Sequence, residues 1–263
     1  NNRDHRKICV IDGNIGYTGG INLADEYINA IVKHGHWKDT AVRLYGKGVF
    51  SLTGMFLSAW DFFYGMETDI SLYAPTESVT ASGFVQPFAS TPDSSETIGE
   101  NMYLNLINKA RNYVYLTTPY LIIDNNLVTA LTMAAESGID VRIITPGIPD
   151  KKIVFFLTRS YYRVLVDAGV KIFEYTPGFI HSKCAVADDS TAVVGTINLD
   201  YRSLYLHHEC AVWMHGTDCV SDIRDDFFKT QEQCSEITSG NIQKMSAGRR
   251  LFLSFLRIFA PLM

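Results

Sequence analysis

The chain has 263 residues, of which 47% are hydrophobic, enough for one large or two small domains with well-filled cores. Its 23 basic and 28 acidic residues give a formal net charge of −5, which argues against nucleic acid as the main ligand, because duplex binding requires a basic face. The five cysteines show neither disulfide nor metal-ligand spacing and indicate reduced thiols facing the cytosol. No run of eighteen apolar residues occurs, so no segment is predicted to cross a bilayer.

Strand and helix patterns alternate along the chain. Apolar residues at helical spacing over residues 49–64 predict a core helix. From residue 84 onwards the alternation is regular and indicates an α/β sandwich around a mixed sheet. The predicted elements, in chain order, are strand 7–11, helix 21–31, strand 40–45, helix 49–64, polar loop 66–82, strand 84–88, helix 98–111, strand 113–117, helix 126–137, strand 140–144, helix 154–167, strands 171–175 and 183–187, a turn or short helix after residue 195, and strand 208–214.

One pattern of five residues occurs twice, 176 residues apart and without a gap. Histidine, lysine, aspartate, glycine and asparagine occupy the same places in both copies, which are His5, Lys7, Asp12, Gly19, Asn22 and His181, Lys183, Asp188, Gly195, Asn198. Five fixed residues match by chance at a given start about once in a million or more rarely. The spacing is far wider than a solenoid repeat, so it predicts two copies of a domain.

Three segments follow from this duplication. Residues 1–82 are predicted to be the C-terminal part of a first lobe, residues 83–246 a second lobe, and residues 247–263 an amphipathic tail. About a hundred residues of the second lobe precede its histidine and four precede the first histidine, so we expect an incomplete first lobe and a longer parent protein. The tail combines arginines with a dense apolar set, which fits a helix at a membrane surface or a terminal helix docked on the core.

The repeated pattern H-x-K-x(4)-D-x(6)-G-x-x-N resembles the catalytic motif of the phospholipase D superfamily in both copies. Residues 11–22, 118–120, 177–183 and 195–203 are similar to the bacterial cardiolipin synthase branch of that superfamily. The resemblance implies an α/β fold, a phospholipase D-like two-lobe sandwich with mixed sheets and pseudo-twofold symmetry. It also implies a covalent phosphohistidine, a two-step exchange without metal or cofactor, and membrane helices in a preceding part of the protein.

The two His-x-Lys pairs carry the expected chemistry. Side chains alternate along a strand, so the histidine and lysine of each pair lie on one face. Phosphodiester exchange needs a nucleophile, an acid for the leaving alkoxide and cations for the phosphoryl oxygens, which two apposed half-sites supply together. The resemblance assigns His5 as the nucleophile and His181 as the general acid and then base. The groups expected to contact the phosphoryl oxygens are Lys7, Lys183, Asn22 and Asn198.

The two motif aspartates need a separate interpretation. Asp12 and Asp188 belong to the catalytic motif that the resemblance implies. They follow the lysines by five residues, however, and each stands at a predicted turn. We therefore expect them to accept hydrogen bonds from turn amides rather than to act in catalysis.

Two further carboxylates are candidates for orienting the histidines. A nucleophilic imidazole must be neutral at the attacking nitrogen, and a carboxylate on its other nitrogen fixes that tautomer. Asp39 and Glu209 stand at matching places after the two repeats, each three residues before a valine. We expect Asp39 to orient His5 and Glu209 to orient His181.

The preferred hypothesis is phosphatidyl transfer between two molecules of phosphatidylglycerol, which releases glycerol and forms cardiolipin. The alternatives are hydrolysis by a phospholipase D, cleavage of nucleic acid by a phosphodiesterase, and an inactive fragment or scaffold. The expected partners are the phospholipid substrate, the membrane surface and a preceding part of the same protein, and nucleic acid is not expected. We expect a location at the cell membrane, with the catalytic part facing the cytoplasm.

Overall fold

Two sheets of unequal size carry the two copies of the repeat. The computed structural model describes residues 2–243 and 247–260. The helices and strands of this part are β1 (Ile8–Ile11), β2 (Ile15–Gly19), β3 (His36–Lys38), β4 (Ala41–Tyr45), α1 (Val49–Tyr64), β5 (Phe84–Ser90), α2 (Ile98–Lys109), β6 (Tyr113–Thr117), β7 (Leu121–Ile122), α3 (Asn125–Glu136), β8 (Asp140–Pro146), α4 (Lys152–Asp167), β9 (Lys171–Tyr175), β10 (Gly178–Ile180), β11 (Cys184–Ala187), β12 (Thr191–Gly195), β13 (Leu199–Asp200), β14 (Glu209–His215), α5 (Cys219–Gln231), β15 (Cys234–Ile237), α6 (Ser239–Gln243) and α7 (Ala247–Arg257).

The sequence repeat is also a repeat of strand register. In the small sheet the order is β1-β2-β4, and in the eight-stranded sheet it is β15-β9-β8-β6-β11-β12-β14-β5. Ile8 pairs with Thr18 in the β1–β2 hairpin, and Cys184 pairs with Val194 in the β11–β12 hairpin. Both members of the second pair lie 176 residues after those of the first. The two copies therefore adopt the same hairpin, as the duplication predicts.

Apolar side chains join the two sheets. One core cluster contains Leu44, Val49 and Leu52 of the first copy together with Val186 and Val194 of the second. A second cluster fills the space between the large sheet and helices α2, α3 and α4. Burial of aliphatic side chains contributes roughly 25 cal/mol per Å² of apolar surface, so the shared cluster holds the two copies together.

Two short parallel contacts cross from one copy to the other and position the site. Strand β3 pairs with β10, so that Lys38 lies opposite Ile180. An isolated parallel bridge joins Asp4 to His208. The first contact places Ile180, just before His181, beside the segment that carries Asp39. The second places Asp4, just before His5, beside the segment that carries Glu209.

The predicted helix over residues 21–31 is wrong. The segment contains only a short 3-10 helix, Asp25–Ile28. Asn29 ends it with a left-handed backbone (φ 59°), and its side chain accepts from the Trp37 amide at 2.7 Å and donates to the Trp37 carbonyl at 3.0 Å. This tie to β3 draws the chain away from a helical path. By contrast, α1, β6 and β9 have the predicted bounds.

The C-terminal helix α7 docks on the protein with one face. Leu253 is buried, and the Arg257 guanidinium lies 4.3 Å from the centre of the Tyr161 ring on α4. Phe252 and Phe255 on the other face are exposed. Residues 244–246 and 261–263 of the predicted second lobe and tail lie outside the described residues, as do several tail side chains. Within the described part, no helix combines the length and the apolar character needed to cross a membrane.

Candidate active site

The two histidines of the repeat are each bound to a carboxylate. His5 Nδ1 lies 2.9 Å from both carboxylate oxygens of Glu209, and His181 Nδ1 lies 2.7 Å from Oδ2 of Asp39. Asp39 and Glu209 are therefore the orienting carboxylates, but the expected pairing within each repeat is wrong. Each histidine takes its carboxylate from the other repeat, and we call these two contacts the crossed pairs.

The crossing follows from the two parallel contacts between the copies. The His181 amide donates to the Lys38 carbonyl at 2.7 Å, which brings the next residue, Asp39, to the imidazole. The His5 amide donates to the His208 carbonyl at 2.9 Å, which brings Glu209 to the other imidazole. Alignment of the two repeats matches equivalent positions, so it assigns each histidine the carboxylate of its own repeat. The hydrogen bonds in the structure instead join segments at different places in the two copies. The crossed pairs thus make one site from two half-sites.

His181 lies behind a wall of aromatic rings. The centres of the Tyr27, Trp37 and Phe179 rings lie 5.3, 5.2 and 6.0 Å from that of His181. Burial and the charge of Lys183 lower the pKa of His181 to about 3, against the opposing effect of Asp39. The imidazole is therefore neutral at pH 7.

Asp39 fixes the tautomer of this neutral ring. Burial by itself raises the pKa of Asp39, but the hydrogen bond from His181 and the charge of Lys183 outweigh it and hold the pKa below its usual range. The ionised carboxylate can only accept, so Nδ1 of His181 carries the proton. The lone pair of Nε2 is then available for proton transfer or attack on phosphorus.

The lysines of the motif lie beside the histidines, Lys183 buried and Lys7 half-buried. Lys7 Nζ donates to the His5 carbonyl at 2.6 Å, and Lys183 Nζ donates to the His181 carbonyl. Burial lowers the pKa of Lys183 to about 7, although Asp39 opposes the shift, and burial also lowers the pKa of Lys7 against the charge of Glu209. An anionic phosphodiester entering the site would favour the charged form of both.

The lysines and carboxylates of the two copies interact electrostatically. Lys7 is attracted by both Glu209 and Asp39, and Lys183 is repelled by Lys7. Since such interactions fall off with distance, the two half-sites lie in one locality. Within residues 2–243 and 247–260, no group of three or more His, Cys, Asp or Glu side chains is arranged to hold a metal ion.

Two hydroxyl groups hold the Glu209 carboxylate, and the sequence interpretation missed this role. The hydroxyl of Thr196 donates to Oε2 of Glu209, and that of Ser203 donates to Oε1 at 2.5 Å. The place equivalent to Thr196 in the first repeat is Gly20. A Cβ on Gly20 would lie 2.1 Å from Oδ1 of Asp39, which leaves no room for a hydroxyl there. The sequence carried one signal for this difference, because threonine follows the motif glycine in the second repeat and glycine follows it in the first.

The two motif asparagines lie near the crossed pairs. Asn22 donates to the Tyr27 hydroxyl at 2.6 Å, and Tyr27 contacts the His181 ring. Asn198 is buried, and its amide nitrogen in the backbone donates to the Ser203 hydroxyl at 2.8 Å. Its side-chain oxygen has no hydrogen-bond partner among the described residues. Contact of either asparagine with a phosphoryl oxygen stays a prediction.

The motif aspartates lie away from the crossed pairs. Asp12 and Asp188 occupy the β1–β2 and β11–β12 turns with the same left-handed backbone, φ 52°. Five residues of strand separate each from its lysine, a distance of about 16 Å. Asp188 accepts from three successive amides of residues 111–113 at 2.7 to 2.9 Å. Asp188 therefore has the hydrogen bonds expected of a structural residue, whereas a catalytic role for either aspartate stays a prediction.

A cavity of about 680 Å³ lies between the two sheets and helix α5. Val42, Val194 and Ile223 line it, and so does Ser182. Ser182 lines the cavity and His181 does not. Successive side chains of an extended segment point to opposite sides, which explains the difference. The cavity is thus separate from the crossed pairs.

Sequence comparison links the chain to enzymes of phospholipid synthesis. Residues 103–230 match the family model described as the PLD-like domain of cardiolipin synthase. The whole chain is 51% identical to an uncharacterized protein of Streptococcus mutans, 40% identical to cardiolipin synthase 2 of Bacillus cereus, and 38% identical to a cardiolipin synthase of Geobacillus sp. (strain WCH70). It covers 57%, 52% and 53% of these proteins. The chain therefore spans about half the length of the curated relatives that it matches.

Solved structures share the fold. A phosphatidylserine synthase of Haemophilus influenzae matches with a TM-score of 0.72 and 13% identity, over 99% of this chain and 71% of that chain. Nuc, a phospholipase D family member of Salmonella typhimurium, matches with a TM-score of 0.51 and 17% identity, over 59% of this chain and 99% of that chain. At such low identity the likeness concerns the fold alone, and the predicted α/β fold around a mixed sheet is confirmed.

Proposed function

Since the chain belongs to the phospholipase D superfamily, we propose that it carries the catalytic site of a phosphatidyltransferase that makes cardiolipin from two molecules of phosphatidylglycerol. The observation that carries this proposal is the pair of crossed contacts, His5 with Glu209 and His181 with Asp39. Two oriented imidazoles and the two motif lysines supply a nucleophile, an acid and cations for one phosphodiester. The likeness to cardiolipin synthases of Bacillus and Geobacillus supports this choice of substrate.

In the first step of the proposed reaction, Nε2 of His5 attacks the phosphorus of one phosphatidylglycerol. A nitrogen–phosphorus bond forms, the bond from phosphorus to the glycerol oxygen breaks, and His181 transfers a proton to that oxygen. In the second step, His181 takes the proton from a hydroxyl of another phosphatidylglycerol, whose oxygen displaces His5 and gives cardiolipin. Lys7 and Lys183 neutralise the phosphoryl oxygens in both steps.

The buried, neutral state of His181 also suits a nucleophile, so the order of the two histidines is a separate question. A quenched reaction should carry the lipid phosphate on one histidine, in an acid-labile and base-stable form. Label on His5 would support the order proposed here. Label on His181 would reverse the two roles and leave the two-step exchange intact.

The test is the reaction of the protein in membranes that contain labelled phosphatidylglycerol, with the lipid products resolved by mass. Cardiolipin and free glycerol are expected, and the His5→Ala and His181→Ala variants should form neither. The matched control is His215→Ala, since His215 is exposed and contacts Thr191 instead of a carboxylate. Phosphatidic acid in place of cardiolipin would identify water as the acceptor and overturn the transferase proposal.

The same proposal implies a location at the cell membrane with the site facing the cytoplasm. Its substrate is a membrane lipid, and the five cysteines in the sequence are all unpaired thiols. Protection of the thiols from an impermeant maleimide in intact cells, and labelling after permeabilisation, is the expected outcome.

A further inference from the structure

A group of exposed aliphatic side chains lies in the segment that runs from the end of the first motif to β3. Leu23 is fully exposed, Val32 is 76% exposed and Ile28 is 69% exposed. Two further exposed aliphatic residues, Ile21 and Ile31, belong to the same segment. We call these five residues the aliphatic rim. Single exposed aliphatic residues are common on soluble proteins, but a group this dense marks an interaction surface.

The aliphatic rim is attached to the catalytic residues. Asn22 bonds to the Tyr27 hydroxyl, and the Tyr27 ring packs edge-on against His181. Asn29 holds the Trp37 backbone with two hydrogen bonds. The segment is thus fixed to the wall around His181 while its aliphatic side chains point outward. Anything that covers the rim therefore lies next to the aromatic wall of His181.

Exposed aliphatic side chains continue on the other side of this wall. Ile148 packs near Gly35, and Ile153 at the start of α4 is 58% exposed. Between them, the Lys151 ammonium lies 5.4 Å from the centre of the Tyr120 ring. An apolar body and a polar tip on one side chain suit the boundary between lipid chains and headgroups.

Charges around the rim nearly balance. Glu26 and Lys33 form an ion pair at 3.5 Å, and Asp150 accepts from the Tyr120 hydroxyl. Asp25 adds one negative charge beside them, and the lysines at 151 and 152 add two positive ones. Electrostatic attraction therefore contributes little to whatever covers this surface, and apolar burial dominates.

We propose that the aliphatic rim docks onto a phospholipid bilayer and so presents the crossed pairs to lipid headgroups. The proposal rests on the function proposed above, because a bilayer beside the wall of His181 brings the phosphodiester substrate to the crossed pairs, whereas a protein seated there brings none. It commits to the bilayer surface and not to a second copy of the chain.

The test is co-sedimentation of the chain with sucrose-loaded vesicles of phosphatidylcholine, with and without phosphatidylglycerol. The double substitution Leu23→Ser and Val32→Ser should weaken the partition by about tenfold or more, because two large aliphatic side chains leave the lipid. The control is Met133→Ser on α3, which removes another large exposed apolar side chain outside the rim. Binding should persist at high salt.

A second measurement locates the contact. Leu23→Trp should show blue-shifted emission and quenching by brominated lipids, after subtraction of the parent signal, and Met133→Trp should show neither. Because vesicles of phosphatidylcholine alone are included, binding is measured without turnover. A protein that binds vesicles through the rim but makes no cardiolipin would contradict the proposed function and would still support this inference.

Three results would overturn the inference. The first is equal weakening by Met133→Ser and by the double substitution. The second is loss of binding with Phe255→Ser alone, which would assign the contact to the exposed face of α7. The third is a concentration-dependent dimer, seen by sedimentation velocity and abolished by the double substitution, which would mean that a second copy covers the rim.

Discussion

Replacing Glu209 by Gln should slow the step that depends on His5. The carboxylate is fully buried and accepts hydrogen bonds from the imidazole and from the hydroxyls of Thr196 and Ser203. The amide nitrogen of Gln cannot accept, so one of the three donors loses its partner. The ring of His5 then has no anionic acceptor to hold the proton on Nδ1 and to stabilise positive charge on the ring.

The size of the effect follows from the loss of tautomer control. We expect kcat to fall by about a hundredfold or more, which corresponds to roughly 2.7 kcal/mol of transition-state stabilisation. Removing only one supporting hydroxyl, in Ser203→Ala, leaves the charge in place and should cost about tenfold or less. The KM for phosphatidylglycerol should change little in both variants.

The assay uses two donors to separate the two histidines. With phosphatidylglycerol, both Glu209→Gln and Asp39→Asn should be slow. With a p-nitrophenyl phosphodiester, whose leaving group needs little protonation, Asp39→Asn should recover much of its rate because it impairs His181, the proposed acid. Glu209→Gln should stay slow because it impairs His5, the proposed nucleophile.

The opposite pattern, with Glu209→Gln rescued by the activated donor, would mean that the pairs are not crossed or that the histidine roles are reversed. Labelling of His5 in the same samples distinguishes these two explanations. Unchanged turnover of Glu209→Gln would refute the orienting role outright. A thermal midpoint close to that of the parent protein excludes unfolding as the cause.

Four further predictions test other parts of the site. His5→Ala should abolish the covalent lipid-phosphate label with every donor, as seen by mass spectrometry of the quenched protein. Gly20→Thr should lower kcat by tenfold or more and lower the thermal midpoint, because its Cβ meets Oδ1 of Asp39 at 2.1 Å. Burial lowers the pKa of Lys183 to about 7 in the folded protein, so the unfolded chain binds more protons between pH 7 and about 10.4. The contribution of Lys183 to stability therefore rises with pH over this range. Lys183→Met should have a higher thermal midpoint than the parent protein at pH 7, and this difference should shrink towards pH 10. Asp188→Ala should cost about 1 to 3 kcal/mol in urea unfolding, because three turn amides lose their acceptor, with kcat unchanged.

Local pattern predicted much of the fold for a clear physical reason. Helix α1 and strands β6 and β9 have apolar residues at the spacing of their own structure, and they appear with the predicted bounds. The helix expected over residues 21–31 failed because Asn29 bonds to the Trp37 backbone, a contact that no local propensity contains. Strands β2 and β12, which are rich in small residues, were not predicted, although both lie within the repeat.

The sequence by itself determined which residues form the candidate site. His5, His181 and the two lysines are identified by the duplication, because the same residues in the same register must fold into the same hairpin. The sequence also identified Asp39 and Glu209 as the carboxylates that orient the histidines. Only the tertiary structure decided which carboxylate serves which histidine. A hydrogen bond depends on distance in space, and parallel contacts between residues more than 140 positions apart set that distance here.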